Sequence, residues 1–318
     1  MSDSAAPITV IIPCLNAEET LCEALQTVFA QTVTPLEVLV IDDGSRDRSV
    51  QVAKSFGPRV RVLRNPGHGP GAARKQGVLQ ARGTYIAFVD ADDRLAPAKH
   101  ERQLAILENS DEHTLVHTGS SIFGSNERLP PHVRAGGELA TGRCARAVFE
   151  HNPMCGASAM LRKSLILKLG NFDADLFVSE DYSLWLRAST CCEFVYLPDV
   201  LYHIRRHDRN ITHRLNYKAY SHWTAQDRFR HRHPEAFAQL PQDSIREYMV
   251  EPVLRAAREA YWRRDGQDYG RLIRLAYQLA PDDPQILRLW QRRRWPMAAL
   301  RLWDRLTATP KLAVQETP

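Results

Sequence analysis

The stretch Tyr85-Ile86-Ala87-Phe88-Val89-Asp90-Ala91-Asp92-Asp93 decides the fold of this 318-residue chain. Its first five residues are uncharged and mostly aromatic or β-branched, which predicts a strand covered on both faces. Three carboxylates follow within four residues, and such neighbours repel one another unless a cation lies between them. Mg²⁺ and Mn²⁺ prefer oxygen ligands of this kind. The stretch therefore predicts a metal and phosphate site at a strand tip. The alternative is a solvated acidic turn that caps a helix beginning near Pro97.

A repeating pattern of strands and helices surrounds this stretch. Predicted strands span residues 8–12, 36–41 and 60–63, and predicted helices follow near residues 21–29, 50–56 and 72–81. Asn16 and Glu19 have the spacing of a capping box before the first helix. This alternation favours a doubly wound, mostly parallel sheet with right-handed crossovers. Because the polar segments 13–16, 42–45 and 90–93 all follow strands, they should meet at one ligand-binding edge of the sheet.

The loops at this edge exclude two common nucleotide-binding motifs. The first strand runs into Pro13-Cys14-Leu15-Asn16, which has no glycine and cannot form the G-x-G-x-x-G turn of a dinucleotide site. Gly67, Gly69 and Gly71 lack the Lys-Ser/Thr ending of a P-loop. We expect this glycine segment to be a flexible connection, with Arg74 in the following helix facing the site.

Six segments, taken in order, closely resemble family 2 glycosyltransferases of the GT-A fold. They are Ile11-Ile12-Pro13-Cys14-Leu15-Asn16-Ala17-Glu18, Val40-Ile41-Asp42-Asp43-Gly44-Ser45, Gly71-Ala72-Ala73-Arg74, Gly83 to Asp93, Gly170-Asn171-Phe172-Asp173 and Ser179 to Arg187. The resemblance covers residues 7–212. It implies an α/β fold: a GT-A-type, doubly wound, mostly parallel central sheet in a catalytic domain of residues 1–212, with a helical C-terminal appendage in residues 213–318.

The resemblance also implies a binding site for a nucleotide-diphospho-sugar donor. Asp43 matches the aspartate that hydrogen-bonds the nucleotide base, usually uracil, and a carboxylate suits a ring N–H donor. Pro13 and Asn16, after the first strand, and Arg74 are assigned to the same donor site. Donor binding is therefore expected to draw on the loops after several strands.

The family's metal site maps onto the strand-tip carboxylates. Asp92 matches the aspartate that ligates the Mn²⁺ or Mg²⁺ bridging the donor diphosphate, and Asp90 assists it directly or through water. The segment Tyr202 to Thr212 resembles the family's basic loop, although Ile204 stands where an aromatic residue is common. Arg205 is expected to contact the diphosphate and His207 the diphosphate or the metal, since guanidinium binds phosphate oxygens bidentately. The alternative for this loop is a solvated basic turn.

The acceptor-side motif contains two neighbouring carboxylates. Asp181 matches the general base that removes the acceptor hydroxyl's proton, and attack opposite the departing diphosphate inverts the anomeric centre. Glu180 is the rival for that catalytic role. Its alternative function is to stabilise the first turn of a helix through the helix dipole.

Composition agrees with a cytoplasmic enzyme. The chain has no run of 18 apolar residues, and residues 1–7 have neither the basic region nor the hydrophobic core of a signal peptide. The six cysteines show neither a disulfide framework nor zinc-ligand spacing. We therefore expect a cytoplasmic location, with peripheral contact at the inner face of the membrane as one option.

The C-terminal third of the chain is predicted to be helical and basic. Residues 213–318 contain 19 Lys and Arg against 12 Asp and Glu. Residues 256–283 have the pattern of a helical hairpin, and residues 287–306 that of a basic amphipathic helix rich in Trp and Arg. Such a helix either packs on the protein or binds an anionic membrane surface. We expect no nucleic acid partner, because the tail also carries many acids.

The resemblance to family 2 glycosyltransferases therefore implies an inverting glycosyltransferase. It would move a sugar from a nucleotide-diphospho-sugar, UDP-linked in our prediction, to the hydroxyl of a glycan or lipid-linked acceptor during surface polysaccharide synthesis. One alternative is a non-catalytic sugar-nucleotide-binding or scaffold protein, which would not need Asp43, Asp92 and Asp181 together. A nucleotidyltransferase is a third option, but it would want a basic, glycine-rich loop after the first strand.

Overall fold

The computed structural model describes residues 5–124, 132–133, 136, 139–207 and 215–292. The chain divides into two compact units, Met1–Pro241 and Gln242–Pro318. The first unit contains all nine strands of the described sheet, and the second is helical over its described residues.

The strands of the first unit are β1 (Ala6–Cys14), β2 (Pro35–Asp42), β3 (Val60–Arg64), β4 (Tyr85–Phe88), β5 (Arg94–Leu95), β6 (Thr114–Gly124), β7 (His132–Val133), β8 (Met160–Arg162) and β9 (Glu193–Arg206). Its helices are α1 (Leu21–Phe29), α2 (Ser49–Lys54), α3 (Gly69–Gln80), α4 (Lys99–Glu108), α5 (Ala145–His151), α6 (Lys163–Lys168), α7 (Glu180–Ala188), α8 (Leu215–Arg232) and α9 (Pro234–Ala238). A short 3₁₀ turn spans Gly156–Ser158.

The strands form one mixed sheet in the order β3-β2-β1-β4-β8-β6-β9-β5, with β7 paired to β6. The predicted parallel arrangement is confirmed for β3, β2, β1 and β4. Beyond β4 the sheet is mixed, since β8 runs antiparallel to both β4 and β6, whereas β9 is parallel to β6. The α/β fold class predicted from the sequence is thus confirmed, with the parallel half of the sheet on the N-terminal side.

The apolar strands lie in the core because both of their faces are covered. Ile8, Val10 and Ile11 in β1 and Ile86 in β4 have no exposed surface. Helices α1 and α3 supply cover on the sheet, and Gly77 of α3 lies so close to Ile11 that a Cβ would be within 3.0 Å of its side chain. Tight helix–sheet packing fixes where the ends of these strands, and the loops after them, are placed.

Two local predictions near the N-terminal edge are wrong. Asn16 does not form a capping box with Glu19: helix α1 begins at Leu21, and the Asn16 side chain accepts a hydrogen bond from the Arg46 backbone N–H at 2.8 Å. The segment with Gly67, Gly69 and Gly71 is also not the flexible connection that the sequence predicts. Helix α3 already begins at Gly69, and a Cβ on Gly71 would lie 2.7 Å from the carbonyl oxygen of Asp173.

The short strand β5 brings the far end of the chain to the strand-tip loop. It follows Asp93 directly and pairs with β9, with Arg94 opposite His203 and Leu95 opposite Tyr202. This pairing places residues 202–207, the described part of the predicted basic loop, beside the carboxylates that follow β4. Residues 208–212 of that loop lie outside the described residues.

Helix α8 belongs to the first unit, although the resemblance predicts that the catalytic domain ends at residue 212. It packs against α7, where the rings of Tyr182 and His222 stack with centroids 3.8 Å apart. Helix α8, which the sequence pattern assigns to the C-terminal region, therefore covers part of α7.

The second unit contains α10 (Gln242–Ile245), a π-helical turn (Arg246–Val250), α11 (Glu251–Trp262), α12 (Gly266–Leu279) and α13 (Pro284–Arg292). Helices α11 and α12 form the predicted hairpin. Trp290 of α13 stacks on Tyr277 of α12 with ring centroids 4.3 Å apart, and Ile286 is fully buried. The rest of the predicted amphipathic helix, residues 293–306, lies outside the described residues. Within the described part of the chain, no helix has the length and apolar character needed to cross a membrane.

Candidate active site

The three carboxylates at the tip of β4 have different surroundings. Asp93 is buried and accepts hydrogen bonds from the Tyr202 hydroxyl at 2.7 Å and from the Arg205 backbone N–H at 2.8 Å. Burial, followed by the charges of Asp90 and Asp92, raises the pKa of Asp93 well above its usual range. Asp93 therefore ties the strand-tip loop to β9, whereas Asp90 and Asp92 keep partly exposed side chains.

Asp92 lies against the predicted basic loop. Its Oδ2 is 2.9 Å from His207 Nε2, and its carbonyl oxygen accepts a hydrogen bond from Arg205 Nε at 2.8 Å. Burial and the neighbouring charge of Asp90 raise the pKa of the Asp92 carboxyl, although His207 lowers it. The structure thus brings together Asp92, His207 and Arg205, as the sequence predicts.

The guanidinium of Arg205 is committed to protein partners. It forms an ion pair with Glu23 of α1 and lies over the Phe123 ring, 4.7 Å from the centroid. Arg94 lies over the same ring at 4.5 Å and also pairs with Glu23. In this arrangement Arg205 positions the loop that carries Asp92. No sequence pattern indicates the Glu23 and Phe123 contacts, because these residues lie on distant elements.

Arg74 connects the donor-side loop to the acceptor-side helix. Its Nη2 donates to Asp90 Oδ1 at 2.5 Å, and its Nη1 pairs with Glu180 at the start of α7. Although burial lowers the pKa of Arg74, the carboxylates of Asp90 and Glu180 raise it above its ordinary value. Arg74 is therefore a fixed cation, and it faces the site as predicted.

Glu180 and Asp181 occupy the first turn of α7 but differ in accessibility. Glu180 is buried, and desolvation raises the pKa of its carboxyl, whereas the paired Arg74 lowers it. Asp181 is half-buried, and its Oδ1 accepts a hydrogen bond from the Tyr182 backbone N–H at 2.7 Å. The other side of its carboxylate contacts Gly156, where an added Cβ would lie 2.8 Å from Asp181 Cγ. Gly156 is a site residue that the sequence analysis did not identify.

Asp43 is held at the end of β2 by the start of α3. Its Oδ1 accepts a hydrogen bond from Asn65 Nδ2 at 2.7 Å, and its Oδ2 accepts one from the Gly69 N–H at 2.8 Å. Gly69 has φ +81°, a conformation that L side chains rarely adopt, and its α-carbon faces the Phe177 ring. The glycine segment therefore orients Asp43 and packs against the acceptor-side segment.

Pro13 and Asn16 lie at the same edge of the sheet. Pro13 pairs with Ile41 within the parallel β1–β2 ladder, and Asn16 has a left-handed backbone with φ 50°. The Asn16 backbone N–H donates to Ser45 Oγ at 3.0 Å, so the loops after β1 and β2 are bonded to each other. Pro13 near the end of β1, Asp43 just after β2 and Asn16 in the loop after β1 thus lie close together at this edge.

The side chains that could ligate a metal at the strand tip fit a hard divalent cation. Among the described residues, no group of three or more His, Cys, Asp and Glu side chains is arranged as a ready-made metal site. Asp90 and Asp92 nevertheless place two carboxylates on one short loop, with His207 beside the second. Mg²⁺ and Mn²⁺ are commonly held by one or two carboxylates together with substrate phosphates, so this protein half-site fits such an ion.

Comparison with known proteins assigns the family. The family model described as "Glycosyl transferase family 2" matches residues 9–170, about half of the chain. The chain belongs to glycosyl transferase family 2. This confirms the resemblance carried by the sequence motifs, and it agrees with the predicted transferase class.

A relative and two solved structures illustrate the similarity. An uncharacterized glycosyltransferase of Rickettsia typhi is 26% identical over 208 residues, which are 64% of this chain and 65% of the relative. The chain therefore spans slightly less than two thirds of that relative's length. S. aureus TarS 1-349 in complex with UDP-GlcNAc has a TM-score of 0.57 at 17% identity, covering 93% of this chain and 92% of that one. The mannosyltransferase PcManGT from Pyrobaculum calidifontis, in complex with GDP-Man and Mn²⁺, has a TM-score of 0.56 at 18% identity, covering 95% and 90%. At these identities the two structures support the fold.

Proposed function

We propose that this family 2 protein is an inverting glycosyltransferase that moves a sugar from a nucleotide-diphospho-sugar to an acceptor hydroxyl. The observation that carries the proposal is the position of Arg74, which contacts both Asp90 at the strand tip and Glu180 beside Asp181. One buried cation thereby joins the carboxylates proposed for donor binding to those proposed for acceptor activation. A scaffold protein would not need that connection.

The donor would bind along the sheet edge. Asp43 would accept a hydrogen bond from the base, and its two contacts with Asn65 and Gly69 fix the carboxylate for this purpose. Asp92 and Asp90, with His207 close by, would hold Mn²⁺ or Mg²⁺. When bound, such a cation neutralises the charge that grows on the leaving nucleoside diphosphate. The ligands bound in the two similar structures, UDP-GlcNAc in one and GDP-Man with Mn²⁺ in the other, support a donor of this class, and we propose a UDP-linked one.

Asp181 would be the general base. The acceptor oxygen attacks the anomeric carbon while the bond from that carbon to the diphosphate oxygen breaks, and Asp181 takes the hydroxyl proton. Attack from the side opposite the leaving group inverts the anomeric centre. Glu180 is less suited to this step, because it is buried and paired with Arg74. Its proposed role is to hold Arg74 and the first turn of α7 in position.

The acceptor would be the hydroxyl of a glycan or lipid-linked glycan in surface polysaccharide synthesis, with peripheral membrane contact through residues 287–306 as part of this proposal. The first unit presents Asp181 next to the segment 152–158, where Gly156 leaves room for the carboxylate. This segment would contact the acceptor sugar.

A donor screen tests the proposed function. UDP-, GDP- and dTDP-linked sugars are added with Mn²⁺ or with EDTA, and thermal stabilisation and slow donor hydrolysis are both measured. We expect at least one nucleotide sugar to raise the melting temperature only with the metal, and to be hydrolysed by the wild-type protein. If no donor stabilises the protein with metal, or if stabilisation is equal in EDTA, the proposal is wrong.

A further inference from the structure

A basic trough lies in the first unit, outside the strand-tip site. It consists of two adjoining cavities of about 580 Å³ and about 710 Å³, and Arg232 and His233 line both of them. The first cavity lies between α3, the segment 168–175 and the end of α8. The second extends past α9 toward the start of α5. Because the two cavities share lining residues, the trough has the form of an elongated site.

The trough has an excess of positive charge. Six cationic side chains line the two cavities: Lys75, Lys168, Arg187 and Arg232 in the first, and Arg143, Arg146 and again Arg232 in the second. Only three carboxylates line them, those of Asp173, Asp175 and Glu235. Asp175 is already paired with Arg228, a further cation that does not line either cavity. Four of the six cations have carboxylate partners: Arg187 and Arg232 both face Asp173, Arg146 pairs with Glu150, and Lys168 lies 3.9 Å from Glu112. The excess positive charge of the trough therefore rests on the other two, Lys75 and Arg143.

Two of the cations are available for a ligand. Lys75 and Arg143 form no ion pair with any carboxylate of the described residues; the Arg143 guanidinium reaches only the Thr190 carbonyl oxygen, at 3.5 Å. Positive charge from other residues acts at His233, which lines both cavities. Burial, then the charges of Arg187 and Arg232, lowers the pKa of His233. An anion entering the trough would relieve this repulsion between cations.

The floor of the trough is preformed. Arg187 is buried, and its guanidinium donates to the carbonyl oxygens of Leu169 at 2.6 Å and Asn171 at 2.8 Å. Its Nη2 is 3.5 Å from Asp173. These contacts order the segment that forms one wall before any ligand arrives, and such ordering lowers the cost of binding.

Two helices that line the trough, α3 and α7, also carry residues of the proposed active site. Lys75 directly follows Arg74 on α3, and Arg187 lies seven residues after Glu180 on α7. Seven residues of α-helix span about 10 Å. The distance along α7 between the proposed acceptor site and Arg187 in the trough is therefore comparable to the length of a few sugar units.

We propose that the trough binds the acceptor, and that the acceptor is a glycan with an anionic group, a carboxylate or a phosphate, in its repeating unit. This inference rests on the proposed function, because it names the acceptor class of the same enzyme. Lys and Arg recognise both kinds of anion through charge-assisted hydrogen bonds. Two connected cavities with a shared Arg232 suit a chain that carries repeated charges better than a single small anion.

Calorimetry with defined probes in EDTA tests the trough separately from the metal site. Tetragalacturonate carries carboxylates, tripolyphosphate carries phosphates, and maltotetraose is a neutral chain of matching length. We expect at least one charged probe to bind the full-length wild-type protein, and to bind more weakly as salt increases. The Lys75→Gln/Arg143→Gln double variant should lose roughly tenfold in affinity for that probe, as expected for two partly exposed ion contacts.

Lys54→Gln on α2 is the matched control, because Lys54 is exposed and lies outside the trough. It should bind the charged probe like the wild type. The inference is overturned if maltotetraose binds as tightly as the charged probes, if the double variant keeps wild-type affinity, or if a single-stranded oligodeoxynucleotide outcompetes both charged probes. UDP titration of the wild-type protein with Mn²⁺ tests the donor site by itself, so the trough inference can fail while the proposed function stands.

Discussion

Gly156 lies directly against the carboxylate of Asp181. A Cβ added to Gly156 would be 2.8 Å from Asp181 Cγ and 2.9 Å from its Cβ, well inside the roughly 3.5 to 4.0 Å at which carbon atoms pack. The carboxylate can therefore occupy its observed position only because residue 156 has no side chain. The turn that contains Gly156 is itself anchored, since Gln103 donates to the Ser158 carbonyl oxygen at 2.9 Å.

Gly156→Ala should separate donor binding from transfer. The new methyl group displaces Asp181, and a shift of about 1 Å in a catalytic group can reduce the rate on the order of a hundredfold. We expect transfer to fall by at least about tenfold, while UDP affinity measured by calorimetry stays at the wild-type value. Cys155→Ala, a change in the same turn that adds no atoms, is the control. Full transfer activity in Gly156→Ala would show that this contact does not position the base.

Asp181→Asn tests the proposed base. The amide keeps the shape of the side chain but cannot take a proton, so transfer should fall by about two orders of magnitude or more, with donor affinity retained. Glu180→Gln should be less impaired in the same assay. If Glu180→Gln is inactive and Asp181→Asn is active, the two roles are exchanged. If both remain active, the acceptor-side assignment is wrong.

Arg74→Met should destabilise the protein strongly. It leaves the buried Glu180 without its cation, and breaking a buried ion pair in this way typically costs about 3 to 5 kcal/mol. Arg48→Met removes an exposed pair with Glu18, at 3.3 Å, and should cost less than about 1 kcal/mol. Urea unfolding of both variants gives the comparison. Equal losses in the two variants would show that the Arg74 connection contributes no more than a surface pair.

The buried Lys99 predicts a pH-dependent stability. Desolvation lowers the pKa of this amine to about 7 in the folded protein, although Cys155 opposes the shift, whereas in the unfolded chain the pKa is 10.5. Between these values the unfolded chain carries a proton that the folded protein lacks. The free energy of unfolding should therefore rise with pH over this range, by up to about 1.4 kcal/mol per pH unit from this group.

Lys99→Met isolates that effect. The variant should be more stable than the wild type at pH 7, and the difference should shrink as the pH is raised toward 10. Lys54→Met, at an exposed position, should follow the wild type across the range. Parallel pH profiles for the wild type and Lys99→Met would mean that the Lys99 amine is not desolvated.

The parallel half of the sheet is predictable from the sequence because its strands are apolar and regularly spaced. Ile8, Val38 and Ile86 lie in strands whose uncharged runs can be recognised locally. The second half is less visible, since β6 buries polar residues such as His117 and Ser120, and β5 has only two residues. No local pattern indicates a two-residue strand or the long-range pairing that it makes.

The candidate site is predictable where a motif carries the chemistry, and unpredictable where a distant contact does. Asp92 and Asp181 can be named from their segments, and the structure places His207 beside Asp92 as expected. The contact of Gly156 with Asp181 and that of Tyr202 with Asp93 depend on how separate elements pack. Nothing in the residues around Gly156 or Tyr202 signals these contacts.

The central claim is that Asp92, with Asp90, holds a divalent cation through which the donor diphosphate binds. UDP titration by calorimetry tests it in the wild type with Mn²⁺, in the wild type with EDTA, and in Asp92→Asn with Mn²⁺. Asp111→Asn, at an exposed carboxylate outside the site, is the control. We predict a loss of about 2 kcal/mol, or roughly thirtyfold in affinity, in EDTA and in Asp92→Asn, with none in Asp111→Asn. Equal UDP affinity in EDTA, or in Asp92→Asn, would contradict the account.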